Sequence, residues 1–339
     1  MSAGQQRVQW SREDQNVTIR HPVRIAITVA AVVGLVVVGV LVVRPADTAP
    51  VKGSIRISGA WALYPMVVTW ADIYKKQHPG VRIDVSAGGA GKGAADALGG
   101  LVEIGMVSRE IHPDEVKKGG WWVPVVKDAV FPTINERNPV VKTILTRGMK
   151  PSAFAGIWVT QTVKTWGQAT GTTAKDRIHI FTRSDACGAA ETWAKFLGKD
   201  LKQEKLKGTG VYGDPGVAQA VRRDRLAIGY NNLNFAYDPR TGRPIAGIRI
   251  APIDRNSNGK LDKAENFYGT KTSVLAAIQD GRYPSPPARY LNYLCKGKPS
   301  GAALDFVRWC LTEGQKYTTP AGYIPLTKAL QQQSLKKLR

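Results

Sequence analysis

The sequence predicts an α/β protein built on open sheets, with a ligand cleft at the carboxyl ends of its strands. One pattern, met three times, carries this prediction. A short run of alternating apolar residues breaks into Gly, Ala or Ser and then opens a helix-like stretch, at Lys52–Tyr74, Val81–Leu98 and Arg177–Gly198. Each reads as strand, tight loop, helix N-terminus. The rest of the chain continues the alternation. Glu103–Glu110 is a strand running into a loop at Ser108 and Arg109, and His112–Glu115 is a further helix start. Trp121–Ile134 is strand-like and can carry the chain into a second lobe. Asn138–Trp166 alternates short helices and turns. Gly216–Asp224 reads as a helix, Leu226–Tyr230 and Gly247–Ile253 as strands, and Leu304, Val307, Arg308 and Leu311 are spaced for a helix. A helix start carries unpaired N–H groups and a partial positive charge. Loops of small residues let an anion approach those groups, so several converging on one point would form a receptor for a small anion.

The 339 residues suffice for about two domains. The net charge of +22 suggests an acidic partner, but the basic residues are scattered without a run of five, as on a solvated surface. No basic–aromatic motif appears, so nucleic acid is not the expected partner. Four histidines are too few for a His-based metal site. The three cysteines, Cys187, Cys295 and Cys310, do not make a disulfide framework. Cys295 and Cys310 read as buried free thiols, with a disulfide between them open outside the cytoplasm.

Ile25 to Val43 carries no charge and approaches the ~20 residues that span a bilayer as a helix. Arg44 and Pro45 follow directly, and Asp47 spoils a small-residue cleavage site, which favours an uncleaved signal anchor over a cleaved signal. Arg7, Arg12, Arg20 and Arg24 precede the span and favour a cytoplasmic N-terminus. The expected division is a cytoplasmic tail over 1–24, a transmembrane anchor over 25–43, a linker over 44–51 and an extracytoplasmic body over 52–339.

At its small-residue loops the body resembles the phosphate-binding proteins of ABC transporters. The segments that carry the resemblance are Ser58–Pro65, Ala87–Gly93, Glu103–Glu110, Arg183–Trp193, Ala227–Asn232 and Ala321–Leu326, which occur in the family order. The resemblance implies the two-lobed, type II periplasmic-binding-protein fold, in which a hinge closes two α/β lobes over the ligand. It places one lobe at about 52–130 and 235–339 and the other at about 131–234, with crossings near Ala129–Ile134 and Tyr230–Phe235. It implies phosphate or a similar oxyanion as ligand, permease subunits as partners, a monomer, no enzyme activity and no required cofactor. Carried over residue by residue, the family's site falls on Leu63, Tyr64, Ala90, Gly91, Ser108, Arg109, Arg183, Asp185, Cys187, Gly188 and Ala189. Three hydroxyls that the family offers are replaced by Ala90, Cys187 and Ala189. Each lost neutral hydrogen bond is worth about 1 kcal/mol. Arg109 is expected to compensate through charge-assisted bonds, and Asp185 to orient Arg183 or to accept a proton from a protonated phosphate.

Asp254–Glu265 fits the calcium loop D-x-[DN]-x-[DN]-G-x5-E at each required position. Asp254, Asn256, Asn258, the Lys260 carbonyl, Asp262 and Glu265 would be the ligands of a structural Ca2+; the alternative is a polar Asn-Gly turn. Enzyme readings are weaker. Ala87–Gly93 is no P-loop, because Ser86 stands where the first Gly belongs and Gly93 where Ser or Thr belongs. Cys187 lacks an Arg six residues on, where Trp193 stands, and lacks a His base in its loop. Its place at a helix start predicts a lowered thiol pKa.

Overall fold

The structure, a computed structural model, describes residues 50–339. The span at 25–43 lies outside them, and none of the described helices is long and apolar enough to cross a membrane. The described strands are β1 (Gly53–Gly59), β2 (Val81–Ala87), β3 (Ile104–Val107), β4 (Gly120–Asn135), β5 (His179–Arg183), β6 (Thr209–Val211), β7 (Ala227–Asn232), β8 (Ile248–Ile250) and β9 (Ala288–Lys296). They hydrogen-bond in the order β2-β1-β3-β9-β4-β7-β5-β6, with β8 on β4. The trio β1, β2 and β3 is parallel, as is the trio β5, β6 and β7. Parallel neighbours need crossover connections, and the helices between these strands supply them.

The long strand β4 divides the molecule. Over Gly120–Ala129 it pairs antiparallel with β9, and over Val130–Ile134 with β7. One apolar core lies to one side, around Ile55, Trp70, Tyr293 and Phe306; the other holds Phe131, Trp158, Trp193 and Tyr230. The expected first crossing thus coincides with β4. The return lies elsewhere. Tyr237, Ile250, Phe267, Ile278 and Tyr283 all belong to the second core, and the chain re-enters the first lobe only at Ala288, where β9 begins. The return expected at Tyr230–Phe235 is therefore displaced by about fifty residues, because after β7 the chain adds β8 to the second-lobe end of β4 and builds the helix Lys271–Gln279 there before β9 pairs with the first-lobe end of β4.

The helix Tyr64–Gln77 starts with Pro65 in its first turn, where a missing N–H costs nothing. It buries Met66, Val67, Trp70, Ala71 and Tyr74 against the sheet. The helix Ala90–Leu98 lies closer still. A Cβ on Gly93 would come within 2.5 Å of the Met106 carbonyl and 2.8 Å of the Gly59 Cα. Only glycine permits this approach, and it sets the start of that helix against the ends of β1 and β3. Cys187, Cys295 and Cys310 are free, buried thiols. Cys310 Sγ lies 3.8 Å from the Tyr293 hydroxyl.

Gly93→Ala forces backbone apart in a packed interface, and overpacking of this kind costs about 1–3 kcal/mol. A lower urea midpoint with an unchanged m-value is the expected result, read by circular dichroism.

Candidate functional site

The small-residue loops meet between the lobes. The tight loop before the helix Ala90–Leu98 is capped by Gly89 at φ +93°, and a Cβ there would lie 2.7 Å from Asp185 Oδ2. Gly91 N–H donates to the Ala186 carbonyl at 3.0 Å, a hydrogen bond from the first lobe to the second. Gly188 opens the helix Gly188–Leu197 and sits directly on Ser108, whose carbonyl would be 2.3 Å from an added Cβ. Trp61 spans the cleft beside these loops, edge-on to Tyr212 and Phe235 of the second lobe. Among the described residues the N–H groups of Ala90, Gly188 and Ala189 have no protein partner, nor does the Ser108 hydroxyl. Leu63 and Tyr64 differ: both N–H groups turn back to the Ala60 carbonyl, at 3.1 Å each.

Arg183, at the end of β5, has a side chain with no exposed surface. Its Nε and Nη2 donate to Asp185 at 2.7 and 2.5 Å, and its Nη1 to Asp214 at 2.6 Å. Asp214 is itself held by the Asn232 N–H at 2.9 Å and the Asn232 amide at 2.7 Å, while Asn231 donates to its carbonyl at 3.0 Å. Burial favours the neutral guanidine, but Asp214 and Asp185 outweigh it and hold Arg183 firmly protonated. Asp185 also accepts the Gly213 N–H at 3.1 Å. The pairing of Asp185 with Arg183 is as the sequence suggested. Asp214 was not foreseen, and its only signal was its place in a second helix start, Tyr212–Gly216.

Arg109 does not face the meeting point with free donors. It forms a bidentate pair with Glu115 at 2.9 and 2.7 Å, donates to the Glu110 carbonyl at 2.9 Å, and places Nε 3.2 Å from Glu191 on the helix of the second lobe. The compensation expected of Arg109 is thus used up by the chain's own carboxylates. Glu115 is poised for this role as the third residue of a helix, where its carboxylate also accepts the His112 N–H at 2.8 Å. Burial raises the pKa of Glu115, and the bonds from Arg109 and His112 more than reverse that. His112 and Lys195 extend the network, each within 3.5 Å of Glu191, and Lys195 also bonds Glu110 at 2.7 Å. A cleft of about 700 Å³ opens beside it, lined by Gly91, Arg109, Cys187, Lys195, Lys199 and Gln203.

Cys187 caps the helix Gly188–Leu197, its Sγ accepting the Ala190 N–H at 3.3 Å. The lowered thiol pKa expected there is wrong. Burial pushes it up to about 12, and the nearby Arg183 offsets only part of that because its charge is neutralised by two aspartates. A buried, protonated thiol is no nucleophile at neutral pH.

Comparison with known proteins agrees with this geometry. A family model described as a PBP superfamily domain matches residues 44–313, and the chain belongs to that superfamily of two-lobed binding proteins. It is 26% identical to the phosphate-binding protein PstS of Xylella fastidiosa over 314 residues, covering 83% of this chain and 84% of that one. It is also 26% identical to PstS of Pseudomonas aeruginosa, covering 85% and 88%. Among solved structures, a phosphate ABC transporter substrate-binding protein of Clostridium perfringens with bound phosphate superposes with a TM-score of 0.66 at 20% identity, covering 81% of this chain and all of that one. An ABC-type phosphate transport receptor of Vibrio cholerae gives a TM-score of 0.56 at 16% identity, covering 80% and 100%.

Asp214→Ala leaves Arg183 buried with one carboxylate fewer. Breaking a buried pair in this way costs about 3–5 kcal/mol, expected as a large fall in the urea midpoint.

Proposed function

We propose that the chain is an extracytoplasmic solute-binding protein that captures phosphate between its lobes and delivers it to the permease of an ABC importer. The observation that carries this reading is the convergence of two helix starts and Ser108 on one point of the cleft, with the N–H groups of Ala90, Gly188 and Ala189 unclaimed. Helix N-termini favour anions through both their N–H groups and their dipoles. The family and its phosphate-binding relatives support the same ligand.

Site chemistry argues for an anion that carries a proton. Arg183 is answered by Asp185 and Asp214, and Arg289 pairs with Asp128 while its Nε donates to the Ser108 carbonyl at 3.2 Å, so buried charges of both signs surround the loops. Asp185 can accept a hydrogen bond from an anion hydroxyl, which a fully ionised anion does not offer. Phosphate retains such a proton near neutral pH and sulfate does not. Lys195, Lys199 and Lys202 stand at the cleft mouth and would draw anions inward. Ligand entry requires the lobes to part at β4 and β9, which breaks the Gly91–Ala186 bond and the Arg109–Glu191 pair. These contacts stabilise the closed form without ligand, so they slow ligand entry while pre-organising the site for the bound state.

The apolar run 25–43 would anchor the protein, with its N-terminal arginines in the cytoplasm and its body, as a monomer, outside. A second reading keeps the fold and changes the ligand to another oxyanion or a phosphoester. The replacement of hydroxyls at Ala90, Cys187 and Ala189 favours that reading.

Isothermal titration of the full-length chain with phosphate, arsenate, sulfate and molybdate separates the two. Saturable heat with phosphate and arsenate, and none with sulfate or molybdate, is expected. Silence with phosphate alongside tight binding of a different anion would reject phosphate as the ligand.

A further inference from the structure

We propose that Asp254–Glu265, on the second lobe and away from the cleft, is a built calcium site. The backbone of this loop is already arranged for a cation. Asp254, only 1% exposed, accepts the Asn258 and Gly259 N–H groups at 3.2 and 2.8 Å through its two oxygens. Asn256 and Asn258 accept the N–H groups two residues on, at 3.0 and 2.9 Å. Gly259 makes the sharp turn at φ +79° with open space around it. Asn256 and Asn258 also donate their amide groups to Asp262 Oδ2 at 2.8 and 2.9 Å, which draws positions 3, 5 and 9 together, but these bonds would equally suit an ordinary polar turn.

Glu265 distinguishes the two. It is 7% exposed, and its Oε1 accepts the N–H groups of Arg255 and Asn256 at 2.9 and 3.3 Å, which fixes the carboxylate against the loop. Its Oε2 is buried without any hydrogen-bond partner. A buried carboxylate oxygen left unpaired is costly. A polar turn offers no reason to hold one there, whereas a cation coordinated by both oxygens of Glu265 removes the cost.

The donor set selects the ion. Among the described residues no three His, Cys, Asp or Glu side chains converge as a ready metal cluster, Asp254, Asp262 and Glu265 included. The donors this loop offers are those three carboxylates, the Asn256 and Asn258 amide oxygens and the Lys260 carbonyl. An all-oxygen set on a flexible loop suits Ca2+, while Mg2+ demands a tighter octahedron and Zn2+ prefers nitrogen or sulfur. Arg255, Lys260 and Lys263 dilute the acidic charge, which places affinity in the range of extracellular modules, about 10⁻⁴–10⁻³ M. Its effect would be local: Asp254 N–H bonds the Met149 carbonyl at 3.0 Å and Leu261 N–H the Thr146 carbonyl at 3.4 Å, so the loop clamps the end of the helix Val141–Arg147.

The test uses the full-length chain, with CaCl2, MgCl2 or EGTA added. Calcium at one hundred times its Kd should raise the melting temperature by about 5 °C, with one ion bound per chain by equilibrium dialysis and no matching effect of Mg2+. Tb3+ luminescence excited through Tyr268, whose hydroxyl bonds the Ile253 N–H at 3.2 Å, should appear and be displaced by calcium. Glu265→Gln should weaken calcium binding at least tenfold. Asp262→Asn, on the exposed rim, should weaken it several-fold, and it serves if Glu265→Gln does not fold. No saturable response to calcium, or unchanged binding in both variants, overturns the proposal.

Discussion

The clamp on Arg183 organises the site. A guanidinium wholly removed from water must have its charge answered inside the protein, and here two aspartates answer it. Asp185 ties Arg183 to its own loop and to Gly213; Asp214 ties it to Asn231 and Asn232 at the end of β7. One side chain thus fixes the ends of β5 and β7 and two helix starts relative to each other. The loop that follows, Ala186–Ala189, is held firmly enough to meet Gly89, Gly91 and Ser108 across the cleft. Glycines at those three approaches allow backbone to touch backbone, so at this point of the cleft the lobes meet through main chain.

That arrangement changes what the site can recognise. A receptor that relies on arginine forks would favour the most highly charged anion. In this cleft Arg183 serves its neighbours, and Arg109 is divided between Glu115 and Glu191. What remains beside the loops is main-chain N–H, one serine hydroxyl, a carboxylate acceptor and Arg289, whose Nε donates to the Ser108 carbonyl at 3.2 Å and whose Nη1 is buried without a hydrogen-bond partner. Such a set discriminates by hydrogen-bond pattern more than by charge. The loss of hydroxyls at Ala90, Cys187 and Ala189 is tolerable for the same reason, since any residue contributes an N–H.

Much of this was legible locally and the rest was not. The strands β1, β2, β3 and β5 and the helix starts after them follow from apolar alternation running into small residues, which is a property of neighbouring positions. The Arg183–Asp185 pair lies within one loop and could be read there. Asp214 is 31 residues from Arg183, and nothing local links them. The second crossing depends on β9 finding β4 across more than a hundred and fifty residues, so a reading that follows the chain returned it to the first lobe too early. Cys187 shows the limit of a positional rule. A helix start lowers a thiol pKa only if the thiol is hydrated or near uncompensated positive charge, and neither holds once it is buried beside a neutralised arginine. Arg109 carried a readable clue, because Glu115 occupies the third position of a helix that begins at Pro113.

The central claim is that phosphate closes two lobes hinged at β4 and β9. Spin labels at the exposed positions Lys76, on the first lobe, and Arg223, on the second, report it most directly through their pairwise distance in the full-length chain. Without phosphate the account predicts a distribution containing both a parted and a closed distance, and saturating phosphate should collapse it onto the closed one. A distribution that is the same with and without phosphate would contradict the account.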